Sequence, residues 1–248
     1  MKISIAIPAY NEEAYITQTL ESLAQQEIPG ELEIIVCLNA CTDCTQEVVE
    51  AWAQSRKKTI TIVHELRKGV SRARQTAFEN STGTIVISAD ADSIYPKEWA
   101  DTVAKIFAQD EKIVALYGPV RMRNFEGKAS FFLKLFQFVF NDLFTFVGRF
   151  VGWHNVIGSN LAIRRESFFK VGGFDVELGT MEDNEITRRL AQIGQVRFSA
   201  KMVAYASARR YNQFGFWRTV SFYFRNGVKA IFLKQKTDDL EDLHQQSK

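Results

Sequence analysis

The sequence predicts an α/β protein in which a mostly parallel sheet is flanked by helices and followed by a C-terminal helical extension. Strand and helix patterns alternate over roughly the first 120 residues, and the predicted strands are continuous runs rich in Ile and Val. Such runs are typical of strands that are buried on both faces, and the alternation favours parallel pairing with right-handed crossovers. Ligands of these sheets bind at the carboxyl ends of the strands, where polar residues follow several of the runs.

The elements can be assigned in order along the chain. Ile- and Val-rich runs predict strands at 2–7, 32–38, 59–64, 84–89 and 113–118. Helical spacing predicts helices at 12–25 with Asn11 as N-cap, at 43–56, at 69–80, and at 96–109 with Pro96 near the first turn. Later signals predict a Phe-rich helix at 129–151, a strand near 159–163, a helix at 183–192, a strand near 196–200 and a helix near 216–233.

Composition and cysteine usage are those of an ordinary globular protein. The 248 residues are 46% hydrophobic and 24% charged, with a net charge of +2. The N-terminus does not resemble a signal peptide, and no apolar run of about 18 residues predicts a membrane span. Three cysteines fit a reducing compartment, and Cys41-x-x-Cys44 lacks the second pair that a zinc site needs. We therefore expect a cytoplasmic protein.

The C-terminal region is basic and aromatic. Nine Lys and Arg and no Asp or Glu lie between Arg197 and Lys236, and an acidic tail follows at 238–242. Basic and aromatic residues on a helix favour an anionic bilayer, so peripheral contact with the inner face of the membrane is one interpretation. An ordinary solvated basic face is another. No recognition motif supports a nucleic-acid partner. The 129–151 helix fits burial against the domain or a homodimer partner, or the wall of a lipid-acceptor groove.

Two carboxylates, Asp90 and Asp92, follow the predicted strand at 84–89. Alternate residues of a strand point the same way, so this spacing predicts that both side chains face one point beyond the strand. Carboxylate oxygens suit Mg²⁺ or Mn²⁺ that bridges the phosphates of a nucleotide. Because Asp-x-Asp is common in loops, a loop without a metal is the alternative for the motif taken alone.

Six blocks, in this order, resemble family 2 glycosyltransferases of the GT-A fold and cover roughly residues 1–195. They are Pro8–Glu12 (PAYNE), Asn39–Thr45 (NACTDCT), Gly69–Arg74 (GVSRAR), Asp90–Asp92 (DAD), Gly172–Asp175 (GGFD) and Glu182–Asp183. The resemblance implies an inverting enzyme of the hexosyltransferase type. It would move a single sugar from a nucleoside-diphosphate sugar to a hydroxyl or phosphate acceptor, with Mn²⁺ or Mg²⁺ as cofactor. Processive members carry Gln-x-x-Arg-Trp, whereas this chain has Phe216 before Trp217, so the resemblance is to non-processive members.

The resemblance also assigns roles to residues near the donor nucleotide. The expected nucleotide-binding residues are Pro8, Tyr10, Glu12, Asn39, Arg74 and Asp90. Tyr10 offers a planar face on which a base can stack, although packing at a helix entry is the alternative. Asn39 replaces the aspartate that usually recognises the base, which leaves the choice between uridine and guanosine open. Arg74 can hold a phosphate or a carbonyl edge.

The remaining roles concern the metal, the catalytic base and the acceptor. By resemblance, Asp92 ligates the metal and Asp90 contacts the ribose. The resemblance also implies that Asp183 is the general base and that Glu182 orients the sugar or acceptor. The N-terminus of a helix keeps a carboxylate ionised, which suits the base. One hypothesis is that Arg209 and Arg210 reach the diphosphate, and the alternative is that they are surface residues, as most arginines are. The loop at Gly158 and Ser159 resembles the one that lines the sugar and acceptor pocket.

The expected organisation is a GT-A domain over 1–200, divided into a nucleotide-sugar half (1–115) and an acceptor half (116–200), followed by the extension at 201–248. Two other functions remain open. A nucleotidyltransferase of similar fold would carry a Gly-rich loop with a Lys or Arg near the first strand, which residues 8–12 do not resemble. A non-catalytic protein would bind the nucleotide sugar without turnover.

Overall fold

The computed structural model of the chain describes residues 1–124, 154, 156–229 and 237. Its strands are β1 (Lys2–Ala9), β2 (Glu31–Asn39), β3 (Thr61–Glu65), β4 (Ile85–Ser88), β5 (Ile113–Tyr117), β6 (Val120–Arg123), β7 (Leu161–Arg164), β8 (Gln195–Phe198) and β9 (Ala204–Ser207). Its helices are α1 (Ile16–Ala24), α2 (Thr45–Arg56), α3 (Val70–Glu79), α4 (Trp99–Gln109), α5 (Arg165–Lys170), α6 (Glu182–Leu190), α7 (Arg209–Phe214) and α8 (Phe216–Val228). A short 3₁₀ turn at Gly158–Asn160 precedes β7.

Seven of these strands form one sheet in the order β3–β2–β1–β4–β7–β5–β8. Neighbouring strands are parallel except on the two sides of β7, which is antiparallel to β4 and to β5. Strands β6 and β9 pair separately, also in parallel. The expected mostly parallel sheet flanked by helices is confirmed.

The strand directions bring several loops to one edge of the sheet. Because β1, β2 and β4 are parallel neighbours, the residues that follow Ala9, Asn39 and Ser88 lie at the same edge. Leu161 at the start of β7 lies opposite Ser88, because β7 runs the other way. The 3₁₀ turn before β7 therefore reaches the edge at which the parallel strands end.

The hydrophobic core covers both faces of the sheet. On β1, the alternate residues Ile3, Ile5 and Ile7 join one cluster with residues of α1, α2 and α4. Ala6, on the opposite face, joins a second cluster with residues of α3, α5 and α6. Burial on both faces explains why the strand sequence is a continuous apolar run and not an alternating one.

The start of the first helix differs from the prediction. Helix α1 begins at Ile16, and Asn11 is not its N-cap. Asn11 has a φ of 53°, a left-handed conformation that asparagine tolerates, and its side-chain oxygen accepts the Thr42 N–H at 2.8 Å. Glu12 also precedes the helix, and its carbonyl accepts the N–H of Tyr15 and of Ile16. The side chain of Asn11 therefore joins two loops and does not cap a helix.

Four short elements were not predicted from the sequence: β6, α5, β9 and α7. Within the residues given above, no helix is both long enough and apolar enough to cross a bilayer. The predicted helix at 129–151, with its lipid-groove or homodimer role, lies outside the described residues, as does the acidic tail at 238–242. The boundary at residue 200 remains a prediction.

Candidate active site

Asp90 and Asp92 lie in the turn that follows β4, which ends at Ser88. The Asp90 carboxylate accepts a hydrogen bond of 2.7 Å from Arg74 Nη2, whereas Asp92 Oδ2 lies 2.9 Å from Arg209 Nε. The two carboxylates thus have different cationic partners, because they sit on a turn and not on an extended strand. Burial raises the pKa of Asp92, Arg209 opposes that rise, and the Asp90 charge adds to it.

The chemistry of this turn fits a hard divalent cation that is shared with a substrate. Mg²⁺ and related cations are commonly held by one or two carboxylates, with substrate phosphates and water as the other ligands. In the described part of the chain, no group of three or more His, Cys, Asp or Glu side chains could hold a metal. Asp92 and its neighbour Asp90 are the carboxylates of this turn that would hold such a cation, with phosphate oxygens or water as the remaining ligands.

Arg209, at the start of α7, lies between two carboxylates that come from distant parts of the sequence. It forms an ion pair with Glu12 as well as with Asp92, and its guanidinium carbon lies 4.6 Å from the centroid of the Tyr15 ring. Burial raises the pKa of Glu12 to about 7, against the opposing effect of Arg209. The structure therefore brings Glu12 and Arg209 to the predicted metal ligand. Arg210 lies close by and donates to the Tyr223 hydroxyl at 2.9 Å.

Arg74 is the link between the Asp90 turn and the start of α6. It projects from α3, it is only 6% exposed, and it donates to Asp90 through Nη2 and to Glu182 through Nη1. Glu182 is itself 2% exposed. A buried charge is stable only when it is paired, so Arg74 and Glu182 depend on each other. Arg74, which was predicted to bind the nucleotide, thus also joins two parts of the site through its ion pairs.

Asp183, the predicted base, lies in the first turn of α6 beside the 3₁₀ turn. Its Oδ2 accepts the Gly158 N–H at 2.6 Å, and its Oδ1 accepts the backbone and side-chain N–H groups of Asn184 at 2.7 and 2.8 Å. Burial raises the pKa of Asp183, and the charge of Arg74 opposes that rise. A positioned carboxylate with a raised pKa is suited to accept a proton.

The residues predicted to bind the nucleobase of the donor lie at the ends of β1 and β2. Tyr10 is 39% exposed, and Lys68 Nζ lies 3.7 Å from the centroid of its ring. Asn39 donates to the carbonyls of Glu65 and Arg67 and accepts the Gly69 N–H at 2.9 Å. An aspartate could not make the two donations, so the asparagine holds the loop that carries Lys68. Pro8 is the penultimate residue of β1.

Gly158 is positioned so closely to Arg74 that no other residue fits without displacement. A Cβ atom at Gly158 would lie 2.3 Å from Arg74 Nη1 and 2.5 Å from its Cζ. Ser159, which follows, is buried, and its Oγ has no hydrogen-bond partner among the described residues. The close approach explains the glycine in the predicted pocket loop.

Replacing Gly158 by Ala is expected to lower the free energy of unfolding by about 1–3 kcal/mol, because the added methyl group must displace the buried guanidinium of Arg74. Chemical denaturation measures this change. Gly227→Ala is the matched control, since among the described residues a Cβ there would meet Met181 Cε at 3.9 Å and nothing nearer, and alanine favours the helix. Equal stability of Gly158→Ala and the wild type would contradict the prediction.

Three residues of the site were not found from the sequence: Tyr95, Asn160 and Asn184. The Tyr95 hydroxyl accepts the Asp90 N–H at 2.8 Å and donates to the Ser159 carbonyl at 3.1 Å, which joins the Asp90 turn to the pocket loop. Asn160 accepts from Trp99 Nε1 and donates to Met202 O. Asn184 donates to Val156 O and to Asp183. Their signal in the sequence is weak, because each acts on backbone atoms of another segment.

Comparisons with known proteins agree with this architecture. The family model described as Glycosyl transferase family 2 matches residues 4–172. The chain is 31% identical over 207 residues to the probable glycosyltransferase YdaM of Bacillus subtilis (strain 168), an alignment that covers 79% of this chain and 48% of YdaM. The chain therefore spans about half the length of that curated relative.

Two solved structures show the same fold at low sequence identity. The mannosyltransferase PcManGT from Pyrobaculum calidifontis, in complex with GDP-Man and Mn²⁺, has a TM-score of 0.72 and 22% identity, over 99% of this chain and 68% of that one. Staphylococcus aureus TarS, residues 1–349 in complex with UDP-GlcNAc, has a TM-score of 0.65 and 22% identity, over 84% of this chain and 58% of that one. These similarities confirm the expected GT-A fold. Because the family model covers more than half of its length, the chain belongs to glycosyl transferase family 2.

Proposed function

We propose that this chain transfers a single sugar from a nucleoside-diphosphate sugar to an acceptor, with inversion and with a divalent cation. The observation that carries the proposal is that Arg74 pairs with Asp90 and with Glu182, so that the turn with the proposed metal ligand is joined to the start of α6, which carries the proposed base. The family match supports the reaction type. The GDP-Man and UDP-GlcNAc complexes of the two structural neighbours support a nucleotide-sugar donor, and the Mn²⁺ of one of them supports the cation.

In the proposed reaction, Asp183 accepts the proton of the acceptor hydroxyl while the acceptor oxygen attacks the anomeric carbon. The bond between that carbon and the diphosphate breaks on the opposite side, which inverts the configuration. The Gly158 and Asn184 N–H groups hold Asp183 in place throughout. Asp92 would hold the cation, which supplies Lewis-acid stabilisation of the leaving diphosphate. Glu182, kept in place by Arg74, would orient the sugar or the acceptor.

The donor nucleotide can be identified by thermal unfolding with UDP-, GDP-, TDP- and CMP-sugars, with and without Mn²⁺. We expect one nucleotide class to raise the melting temperature in the presence of Mn²⁺. At about 100 times the dissociation constant, the rise should be roughly 5–10 °C for a chain of this size. Asp92→Asn should lose the Mn²⁺-dependent part of the rise, whereas Asp101→Asn on α4 should retain it. A folded protein that no donor stabilises would contradict the proposal.

We also propose that the acceptor is lipid-linked and that α8 contacts the membrane. Trp217 and Phe224, seven residues apart and therefore on one face of the helix, are 74% and 68% exposed. Arg225 is exposed beside Phe224. Large apolar side chains next to basic ones are typical of helices that lie in an anionic interface.

Co-sedimentation with vesicles tests the membrane contact. We expect binding to vesicles that contain anionic lipid, weakening with salt, and a loss of about tenfold or more in Trp217→Ser/Phe224→Ser because about 1.5–3 kcal/mol of apolar burial is lost per side chain. The control Phe169→Ser removes an exposed aromatic residue of α5 and should leave binding unchanged. If the wild type does not bind anionic vesicles, the membrane contact is wrong and the sugar transfer is unaffected.

A further inference from the structure

Arg209 and the divalent cation require the same carboxylate. Arg209 Nε lies 2.9 Å from Asp92 Oδ2, and its Nη2 pairs with Glu12. A cation held by Asp92 would place two positive charges within a few ångströms of each other in a partly buried site. Like charges at this distance in a protein interior disfavour each other strongly. The cation therefore enters only if Arg209 moves or if further negative charge arrives.

The charges of the site balance when the cation and the donor are both absent or both present, but not when the cation is present alone. Glu12 and Asp92 both pair with Arg209, and Arg210 follows Arg209 in α7, so the charges of these four side chains sum to zero when the carboxylates are ionised. A divalent cation alone raises the sum to +2. The diphosphate of a nucleotide sugar carries two negative charges, so its arrival with the cation restores zero.

Glu12 would remain as a partner of Arg209 when the cation binds Asp92. The side chain of Arg209 is 25% exposed and already contacts Glu12 and the ring of Tyr15. Release of Asp92 therefore does not leave a buried unpaired guanidinium, a state that would be costly. A diphosphate at the edge of the sheet would then accept hydrogen bonds from the freed nitrogen.

We infer that Arg209 competes with the divalent cation for Asp92 and that the donor diphosphate relieves this competition, so that cation and donor bind with positive coupling. This inference rests on the proposed function. Each ligand raises the affinity for the other by the same factor, as linkage requires. Arg209 on α7 thereby weakens the binding of the cation in the absence of a donor.

Electron paramagnetic resonance of free Mn²⁺ measures the coupling without any turnover. Mn²⁺ is titrated against the full chain alone and with UDP or GDP. We expect the nucleotide to raise the Mn²⁺ affinity of the wild type at least about tenfold. Arg209→Gln should bind Mn²⁺ alone about tenfold or more tighter than the wild type and should show coupling reduced by a similar factor.

The controls separate the loss of this particular charge from other effects. Arg56→Gln removes an equal charge from the exposed end of α2 and should behave as the wild type. Arg209→Lys keeps the charge and should keep the weak binding of Mn²⁺ alone. If Arg209→Gln does not fold, as judged by circular dichroism, Arg209→Met is measured in its place. The inference is overturned if Arg209→Gln, or Arg209→Met in its place, binds Mn²⁺ with the affinity of the wild type. It is also overturned if neither nucleotide changes the Mn²⁺ affinity of the wild type.

The result also distinguishes this inference from the proposed function. Loss of Mn²⁺ binding in Asp92→Asn would show that the wild type binds Mn²⁺ through Asp92. If neutral variants at Arg209 then bind Mn²⁺ as the wild type does, only the competition is wrong. If neither the wild type nor the Arg209 variants bind Mn²⁺ with or without nucleotide, both the competition and the metal dependence of the transfer are wrong.

Discussion

Asp183→Asn is expected to lower kcat by about 10²–10⁴-fold while donor affinity stays within about threefold of the wild type. The amide cannot accept the acceptor proton, but the Asp90 turn and the Tyr10 region, which would bind the donor, do not depend on it. Steady-state transfer kinetics give kcat, and calorimetric titration of the donor with Mn²⁺ gives the affinity. The split between rate and binding is what identifies a base.

Structural damage is the competing explanation for such a loss. Asp183 Oδ2 accepts the Gly158 N–H, and an amide has only one oxygen to serve the donors that now share two. Far-ultraviolet circular dichroism and the melting temperature must therefore accompany the kinetics. Asp101→Asn, which changes an aspartate of α4 that pairs with Lys105, is the matched control and should leave kcat unchanged. A kcat for Asp183→Asn within tenfold of the wild type would show that Asp183 is not the general base.

Arg74→Met is expected to destabilise the fold by about 3–5 kcal/mol. The substitution removes the cationic partner that Glu182 has among the described residues and leaves a 2% exposed carboxylate unpaired. It also frees Asp90 from its 2.7 Å ion pair. Urea denaturation, monitored by tryptophan fluorescence, gives the difference in the free energy of unfolding.

Another arginine on the same helix provides the control for Arg74. Arg72 forms an ion pair of 2.6 Å with Glu177, whose side chain is 55% exposed. An exposed pair contributes little, so Arg72→Met should cost about 1 kcal/mol or less. The double variant Arg74→Met/Glu182→Gln should be more stable than Arg74→Met alone, because it removes the unpaired charge. If Arg74→Met is no less stable than Arg72→Met, the buried link does not stabilise the fold.

Much of the fold could be predicted because its strands are buried on both faces. β1 and β2 are long continuous apolar runs, and their parallel pairing follows from the helix between them. β6 and β9 could not be found, since each has four residues and pairs with a segment about 80 residues away. The left-handed Asn11 was also missed, because an asparagine before a helical pattern equally fits an N-cap.

For the site, residue types were easier to predict than contacts. Motifs and a basic run were enough to select Asp92, Asp183 and Arg209. In the structure, Arg209 forms an ion pair with Asp92. Nothing in the sequence indicates that Arg74 pairs with Glu182, since 108 residues separate them. The separation of Arg209 from Glu12 is 197 residues. Such contacts are consequences of tertiary packing and leave no local pattern.

The strand order also divides the chain into an early and a late half during biosynthesis. β3, β2, β1 and β4 can pair as soon as residues 2–88 have emerged, whereas β7 can join β4 only after residue 164. N-terminal segments fold first during synthesis, and pairing between distant segments is slow. Arg74 belongs to the early half and Glu182 to the late half, so the buried ion pair between them closes when the two halves meet. A nascent chain stalled before α6 would therefore hold most of the proposed nucleotide-binding residues without the proposed base, Asp183.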